Sequence, residues 1–391
     1  MRVLILPPPA ASTHLMAMVP LSWALRAAGH EVLVAGTPDL RGTAASAGLG
    51  FAPIGSPAEF DKAFDGVPSE NVFPAPEWML PEFADQKRNL LERQADMQAG
   101  YTRSFLGEYR ELAASWGPDL LVADLTLHLA RVLGGILRIP VVTHRWGVDP
   151  TGAAFENRAR EQLEELCRAE GLAGLPDPAM LVDPCPASLQ WEDAPRGVPM
   201  RYVPANGAGS RPDWAGGARE RRRICVCPGR TVLRVVGPRS MRRVAEAIST
   251  LVDVEAVFAM TEEDSARVGP LPRGCRVVES LPLNLVLEDC DAFVSLGGGG
   301  SALTAAALGV PQLVMPQWFD HFDLGRRLAE AGAGCSIDSK EGQADVGRIA
   351  QTLVALVEDP SYRDGAAKLR SENEAVPPPA ELARRLPSLV V

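Results

Sequence analysis

The sequence predicts an α/β protein in which two doubly wound domains, each built on a parallel sheet, face each other across a cleft. Three observations support this fold class. The chain has 391 residues, which is too long for one ordinary core. Short apolar strands alternate with helical patterns through its first half. The same alternation starts again beyond a segment rich in Pro, Gly, Ala and Asn at 204–217.

The first half begins with a βαβ unit, the building block of parallel sheets. Its predicted elements are a strand at 3–6, a Pro-rich loop at 7–12, a helix at 15–28 and a strand at 31–35, followed by a strand at 119–123, a helix at 127–137 and a strand at 139–143. Residues 51–105 interrupt this order, because aromatic residues stand among prolines without a clear period. We expect this segment to form either a mobile lid or an apolar wall of a binding site.

The second half repeats the pattern. We predict strands at 224–227, 255–260, 275–278, 292–296 and 312–315, with helices at 239–251 and 301–308. The predicted limits are 1–205 for the first domain, 206–220 for the linker, 221–375 for the second domain and 376–391 for a tail that packs back on the first. Two doubly wound units place a ligand site at the carboxyl ends of their strands, in the cleft between them.

Composition excludes several function classes. The formal net charge is -10 and no cluster of Lys or Arg is long enough to bind a phosphate backbone strongly, so we expect no nucleic-acid partner. No apolar run approaches the ~20 residues that a membrane helix needs, so we expect no membrane partner. The amino terminus runs directly into a strand without a signal-peptide pattern, and the seven cysteines lack metal-like spacing. We therefore expect a cytoplasmic protein with reduced thiols.

A run of four glycines, Gly297 to Gly300, stands between an apolar strand and an Ala-rich helix that begins near Ser301. Glycine lets backbone amides approach an anion closely, and a helix amino terminus adds unpaired N–H groups and a favourable dipole. The run therefore predicts a diphosphate site, with a tight turn that binds nothing as the alternative. Gly297, Gly299 and Ala302 also satisfy G-x-G-x-x-A, which keeps a nicotinamide oxidoreductase open.

Three stretches carry a family resemblance. They are Gly297 to Asp323, reading GGGGSALTAAALGVPQLVMPQWFDHFD; Pro20 to Val32, preceded by Thr13-His14; and Arg145-Trp146-Gly147-Val148-Asp149-Pro150. Together they resemble the inverting GT-B glycosyltransferases that decorate natural products, in particular the actinobacterial enzymes that attach deoxysugars to macrolide and other polyketide aglycones. The resemblance covers nearly the whole chain and implies Rossmann-like domains, an amino-terminal acceptor domain and a carboxyl-terminal donor domain.

The resemblance assigns roles residue by residue. It implies that His14, in the predicted loop after the first strand, is the general base and that Asp124 orients it. This assignment agrees with chemistry, because a hydroxyl acceptor needs a base whose pKa is near neutral and an imidazole held by a carboxylate provides one. The implied donor-binding residues are Arg230, Thr231, Leu281, Gly297, Gly298, Gly299, Gly300, Ser301, Asp320 and His321. The acceptor-binding residues that we expect are Phe64, Trp78, Met79, His144 and Trp146, with a buried structural role as the alternative for His144.

The sequence departs from the family pattern at two positions. His321 follows Asp320 where relatives carry Gln, which suits a deoxysugar with fewer or reoriented hydroxyls. Leu296 stands where many relatives carry a phosphate-binding His, so the glycine amides and either Arg230 or Thr231 would take over that task, with a solvated surface position as the alternative for Arg230. A helix amino-cap is the structural alternative for Asp320.

The resemblance implies a donor that is a TDP-deoxysugar, with rhamnose as one such sugar, and an apolar small-molecule acceptor. It implies no cofactor and no metal. A nucleotide-sugar epimerase of the same fold and a noncatalytic auxiliary protein remain as alternatives. Whether a homodimer or a helper protein takes part stays open.

Overall fold

The computed structural model describes residues 1–56, 84–217, 219–229, 233, 237–279 and 281–390. Within these residues the first half forms a seven-stranded sheet with the strand order β3-β2-β1-β4-β5-β6-β7, and every pairing is parallel. Its strands are β1 (Arg2–Leu6), β2 (Glu31–Gly36), β3 (Gly50–Pro53), β4 (Leu120–Asp124), β5 (Val141–His144), β6 (Met180–Asp183) and β7 (Val198–Pro199).

Helices cover both faces of this sheet. They are α1 (Ser12–Ala27), α2 (Arg41–Ser46), α3 (Ala84–Trp116), α4 (His128–Leu137) and α5 (Gly152–Ala169). Alternate residues of β1 enter different cores: Leu4 and Leu6 pack in the cluster that includes α3 and α4, whereas Val3 and Ile5 pack in the cluster that includes α1. All four side chains are fully buried, as expected for a parallel strand covered on both sides.

The second half forms a six-stranded parallel sheet with the order β10-β9-β8-β11-β12-β13 within the described residues. Its strands are β8 (Arg222–Cys227), β9 (Val254–Ala259), β10 (Cys275–Val278), β11 (Ala292–Ser295), β12 (Gln312–Val314) and β13 (Gly334–Ser336). Its helices are α6 (Arg239–Ser249), α7 (Glu262–Val268), α8 (Gly299–Leu308), α9 (Phe319–Glu330), α10 (Lys340–Ala344), α11 (Val346–Glu358) and α12 (Pro360–Ala375).

The last helix, α13 (Pro379–Arg385), returns to the first half and packs on α1. Its Leu382 and Ala383, and Leu386 just beyond it, are buried in the same cluster as Val3 and Ile5. The chain therefore crosses between the two halves twice, once between β7 and β8 and once after α12.

The predicted fold class is confirmed, since both halves are doubly wound parallel sheets. Within the predicted lid or wall at 51–105, residues 51–53 belong to β3 and residues 84–105 to the long helix α3, so those parts are regular structure. The predicted acceptor residues Phe64, Trp78 and Met79 lie outside the described residues. The domain limits stay predictions. None of the described helices is long and apolar enough to cross a membrane.

Candidate active site

Each sheet has a switch point where the strand order reverses, and these points organise the site. In the first sheet the switch point lies between β1 and β4. His14 lies in the first turn of α1, directly after β1, and Asp124 is the last residue of β4. The helix begins at Ser12, three residues earlier than the pattern predicts, so the expected loop position of His14 is wrong. The base candidate is carried by a helix.

His14 and Asp124 form a hydrogen-bonded pair. His14 Nδ1 lies 2.7 Å from Asp124 Oδ2, with 22% of the His14 side chain exposed and 2% of the Asp124 side chain. Thr126 donates to the other carboxylate oxygen from its backbone N–H at 2.8 Å and from its hydroxyl at 2.6 Å. A carboxylate that accepts three hydrogen bonds is fixed in one orientation and leaves His14 Nε2 as the free base.

The pair shifts both pKa values toward the charged forms. Burial lowers the pKa of His14, but the charge of Asp124, the hydrogen bond to it and the charge of Asp320 raise it above its ordinary value of 6.5. Burial raises the pKa of Asp124, but His14 and Thr126 lower it below its ordinary value. The imidazole is therefore well suited to take up a proton.

Trp146 connects this pair to the second half. It lies in the loop after β5, and its ring centroid is 4.3 Å from that of His14. Its Nε1 donates to Asp320 Oδ2 at 3.4 Å. His14, Trp146 and Asp320 thus form one continuous line of contacts across the cleft.

The glycine run lies at the switch point of the second sheet, after β11 and beside β8. Gly298 caps α8, a helix whose first-turn N–H groups have no intrahelical acceptor. Gly297 has a φ of +96°, and a Cβ there would stand 2.6 Å from His321 Cβ. A Cβ on Gly299 would stand 2.9 Å from the carbonyl oxygen of Trp146. These positions require glycine because other backbone and side-chain atoms approach them so closely.

Asp320 and His321 occupy the first turn of α9. The helix begins at Phe319 with Trp318 as its cap residue, so the helix-cap alternative for Asp320 is wrong. Asp320 Oδ1 and His321 Nδ1 are buried and have no hydrogen-bond partner among the described residues. Burial lowers the pKa of His321 below its ordinary value, against the charge of Asp320 and a hydrogen bond to the backbone of Leu296. A neutral imidazole therefore lies beside the glycine loop, although position 296 carries Leu.

The remaining predicted site residues do not contact the His14–Asp124 pair or Trp146 through the hydrogen bonds of their side chains in the described part of the chain. His144 ends β5 in register with Asp124, but it is 1% exposed and neither ring nitrogen has a partner within the described part of the chain. Burial lowers its pKa to about 4, so it is neutral. Leu281 is half-buried and packs with Leu283 and Ala305 of α8. Ser301 donates its hydroxyl to Gly298 O at 2.8 Å. Arg230 and Thr231 lie outside the described residues.

Sequence reasoning missed the buried ion cluster behind Trp146. Arg145 is 1% exposed; its Nη2 donates to Asp149 Oδ2 at 2.7 Å and its Nη1 to Asp183 Oδ2 at 2.6 Å. This cluster anchors the loop that carries Trp146. The sequence signal for this cluster was the four-residue spacing of Arg145 and Asp149 within the stretch Arg145 to Pro150.

A second missed contact joins the two halves. Lys87, near the start of α3, donates to Asp323 of α9 at 2.9 Å, and the Asp323 side chain is 2% exposed. No sequence spacing links these two residues, because 236 positions separate them. Among the residues that the structure describes, no group of three or more His, Cys, Asp or Glu side chains is arranged to hold a metal ion.

Comparison with known families matches both halves of the chain. The amino-terminal domain of the erythromycin biosynthesis protein CIII-like family matches residues 23–229, and its carboxyl-terminal domain matches residues 242–389. The chain belongs to this family. The two matches span most of the chain and confirm the family resemblance, but they begin after β1 and His14.

Individual relatives agree with the family. The L-demethylnoviosyl transferase of Streptomyces niveus is 34% identical, over 99% of this chain and 97% of that protein. The erythronolide mycarosyltransferase of Saccharopolyspora erythraea is 31% identical, over 96% of each. The spinosyn rhamnosyltransferase SpnG, solved in complex with thymidine diphosphate, superposes with a TM-score of 0.91 at 44% identity, over 99% of this chain and 100% of that chain. This member of the CIII-like family is therefore a GT-B glycosyltransferase.

Proposed function

We propose that this enzyme transfers a deoxysugar from a TDP-sugar to a hydroxyl group of an apolar polyketide or macrolide aglycone, in the biosynthesis of an antibiotic-type compound. SpnG has been solved with thymidine diphosphate and with spinosyn aglycone, and its 44% identity favours rhamnose as the sugar. The other relatives act on related chemistry, since their names specify sugar transfer to erythronolide and transfer of a noviose-type sugar.

The His14–Asp124 pair is the observation that carries the mechanism. The acceptor hydroxyl gives its proton to His14 Nε2 while its oxygen attacks the anomeric carbon of the donor. The bond from that carbon to the diphosphate oxygen breaks on the opposite face, so the configuration inverts. Asp124 stabilises the imidazolium that forms, because it remains ionised at 2.7 Å from Nδ1.

The glycine run takes the role that a divalent cation has in other transferases. Negative charge develops on the departing TDP, and the N–H groups at the start of α8 face it with the positive end of the helix dipole. Neutral His321 and the buried oxygen of Asp320 are available for the sugar hydroxyls. We therefore propose a metal-independent reaction in which Arg230 adds a further contact to the diphosphate.

Substitution of the base tests this proposal. We expect His14→Ala to lower kcat/KM by about 10³-fold, since general bases contribute about 10²- to 10⁴-fold. The affinity for TDP, measured by calorimetry, should stay within about twofold of wild type. His30→Ala is the matched control, because His30 is a half-exposed histidine of the same half that lies between α1 and β2. Retained activity in His14→Ala would contradict the assignment.

The same assay separates the alternatives. The enzyme should convert TDP-rhamnose and an apolar polyketide aglycone into a glycosylated product that mass spectrometry detects. This product should still form when EDTA is present in excess. An epimerase would convert the donor without any acceptor, and an auxiliary protein would turn over neither substrate. Activity lost on chelation and restored by Mg²⁺ or Mn²⁺ would contradict the metal-free mechanism.

The location of the enzyme in the cell and its oligomeric state remain predictions. We propose that the enzyme works in the cytoplasm, where cysteine thiols remain reduced. If the enzyme is a homodimer, light scattering at the protein concentration of the assay should give twice the mass of one chain.

A further inference from the structure

A hydrogen-bonded cluster joins the segment between β7 and β8 to the start of α8. We propose that Tyr202 and Asn206, both in this connecting segment, are positioning residues for the donor diphosphate. They act through Thr304 and the carbonyl of Gly300, and they set the direction of the first-turn amides of α8. This inference rests on the proposed function, in which those amides bind TDP.

The Gly300 carbonyl is the centre of the cluster. It accepts a hydrogen bond from the Tyr202 hydroxyl at 2.8 Å and another from the Thr304 hydroxyl at 2.7 Å. The peptide unit is planar, so fixing this carbonyl also fixes the N–H of Ser301, which points the opposite way toward the open end of the helix. Hydrogen bonds at the carbonyl also polarise the peptide and strengthen that N–H as a donor.

Asn206 links the same cluster to the loop that carries Leu281, one of the predicted donor-binding residues. Its Nδ2 donates to Thr304 Oγ1 at 3.0 Å, and its Oδ1 accepts from the backbone N–H of Asn284 at 3.2 Å. Asn284 lies three residues after Leu281, in the short turn that follows Pro282. One side chain of the connecting segment therefore contacts both parts of the chain that we expect to hold the nucleotide.

Tyr202 is itself held rigidly. Its backbone N–H donates to Asn373 Oδ1 at 2.8 Å, and its carbonyl accepts from Asn373 Nδ2 at 3.1 Å. Asn373 belongs to α12 and is 5% exposed. Burial raises the pKa of the Tyr202 hydroxyl to about 12, so the hydroxyl keeps the proton that it donates to Gly300. Thr304 is fully buried, so water does not replace these partners.

The expected consequence is that the connecting segment tunes donor affinity. We expect Tyr202→Phe and Thr304→Val each to weaken TDP binding about threefold to tenfold, the effect of losing one hydrogen bond. Thr304→Ser, which keeps the hydroxyl, should restore binding. The hydroxyls of Tyr202 and Thr304 bind the same carbonyl. The variant that combines Tyr202→Phe with Thr304→Val should therefore weaken TDP binding by a factor that differs from the product of the two single effects. The KM for the donor should rise while the KM for the acceptor stays constant.

Calorimetry with TDP alone tests this directly. Tyr109→Phe is the control. Tyr109 is also a fully buried tyrosine, but its hydroxyl forms a hydrogen bond with Tyr101, within the first half and away from α8. The substitution should lower the melting temperature without changing TDP affinity. Asn206→Ala, at a half-buried position, provides a variant that folds if Tyr202→Phe does not.

The outcomes separate this inference from the proposed function. If wild-type protein fails to bind TDP, the proposed function is wrong. If wild type binds TDP but Tyr202→Phe, Thr304→Val and Asn206→Ala all bind it within about twofold of wild type, only the positioning role is overturned. A Thr304→Ser variant as weak as Thr304→Val would also overturn it, because the loss would then follow packing and not the hydroxyl.

Discussion

The two histidines near the end of β4 differ because of their surroundings. His14 is partly exposed and donates to Asp124, whereas His144 is 1% exposed, in register with Asp124, and without a hydrogen-bond partner within the described residues. The pKa of His14 is raised, and that of His144 falls to about 4. Burial alone leaves an imidazole neutral, and a bonded carboxylate makes it a better base.

This difference predicts the pH dependence of activity. His14 must be neutral to act, and its pKa is raised above 6.5. The value of kcat/KM should therefore fall as the pH drops through this raised pKa. Asp124→Asn removes the charge that raises the pKa, so the acid limb should move to lower pH while the plateau drops about 10²-fold or more. Thr126→Val, which removes one bond to the same carboxylate, should cause a smaller shift. An acid limb that does not move in Asp124→Asn would contradict the pairing.

Sequence motifs could predict some of these residues and not others. His14 and Asp124 were predictable from the family resemblance, and the glycine run from its composition between an apolar strand and a helix. All three lie near the carboxyl ends of parallel strands, which meet at one edge of a sheet. Tyr202 and Asn206 were not, since their partners lie about 80 to 170 positions away and no spacing marks them. Their segment reads as a linker by composition, and composition does not reveal a buried hydroxyl.

At the scale of elements, the cleft closes by contact between two backbones. A Cβ on Gly147, in the loop after β5, would stand 3.5 Å from Gly299 Cα, and a Cβ on Gly299 would stand 2.9 Å from the carbonyl oxygen of Trp146. The start of α8 therefore meets the backbone of the first-half loop directly, with the Trp146 ring beside it, because a Cβ on Gly299 would also stand 3.1 Å from Trp146 Cδ1. This contact places the proposed phosphate amides next to the ring that stacks on His14.

An added methyl group at this contact should hinder closure. We expect Gly299→Ala to lower kcat/KM about tenfold to a hundredfold, because overpacking costs about 1–3 kcal/mol. Gly107→Ala is the control, since Gly107 lies in α3 and a Cβ there has no atom within 4 Å. Small-angle scattering should detect a more open Gly299→Ala protein in the presence of TDP. Full activity in this variant would show that the observed approach is not needed for transfer.

Element prediction followed the same physical logic. The strands and helices that the sequence analysis predicted lie within a few residues of the observed ones, whereas the short strands β3, β6, β7 and β13 were not predicted. β13 reads Gly334-Cys335-Ser336, and β7 has only two residues, so neither carries a period. Their strand character comes from pairing with β6 and β12.

At the scale of the whole molecule, the last helix ties the second half to the first. Leu386 is fully buried in the cluster of β1 and α1, although it lies more than 350 positions away from them in the sequence. We expect Leu386→Ala to lower the free energy of unfolding by about 2–5 kcal/mol, the cost of a cavity in a packed core. Urea denaturation would measure it. Val354→Ala, at a residue that is 37% exposed, should cost under about 1 kcal/mol. Equal costs for the two variants would contradict the packing.

The return of α13 has a consequence for any attempt to divide the protein. The stretch 207–211 is exposed and lies between the two sheets, which makes it a natural point of cleavage. A nick there would leave the carboxyl-terminal fragment with its last helix still embedded beside Met1, in the core of the other fragment. The two pieces should therefore remain joined after proteolysis and, when produced separately, complement one another like the parts of a split reporter.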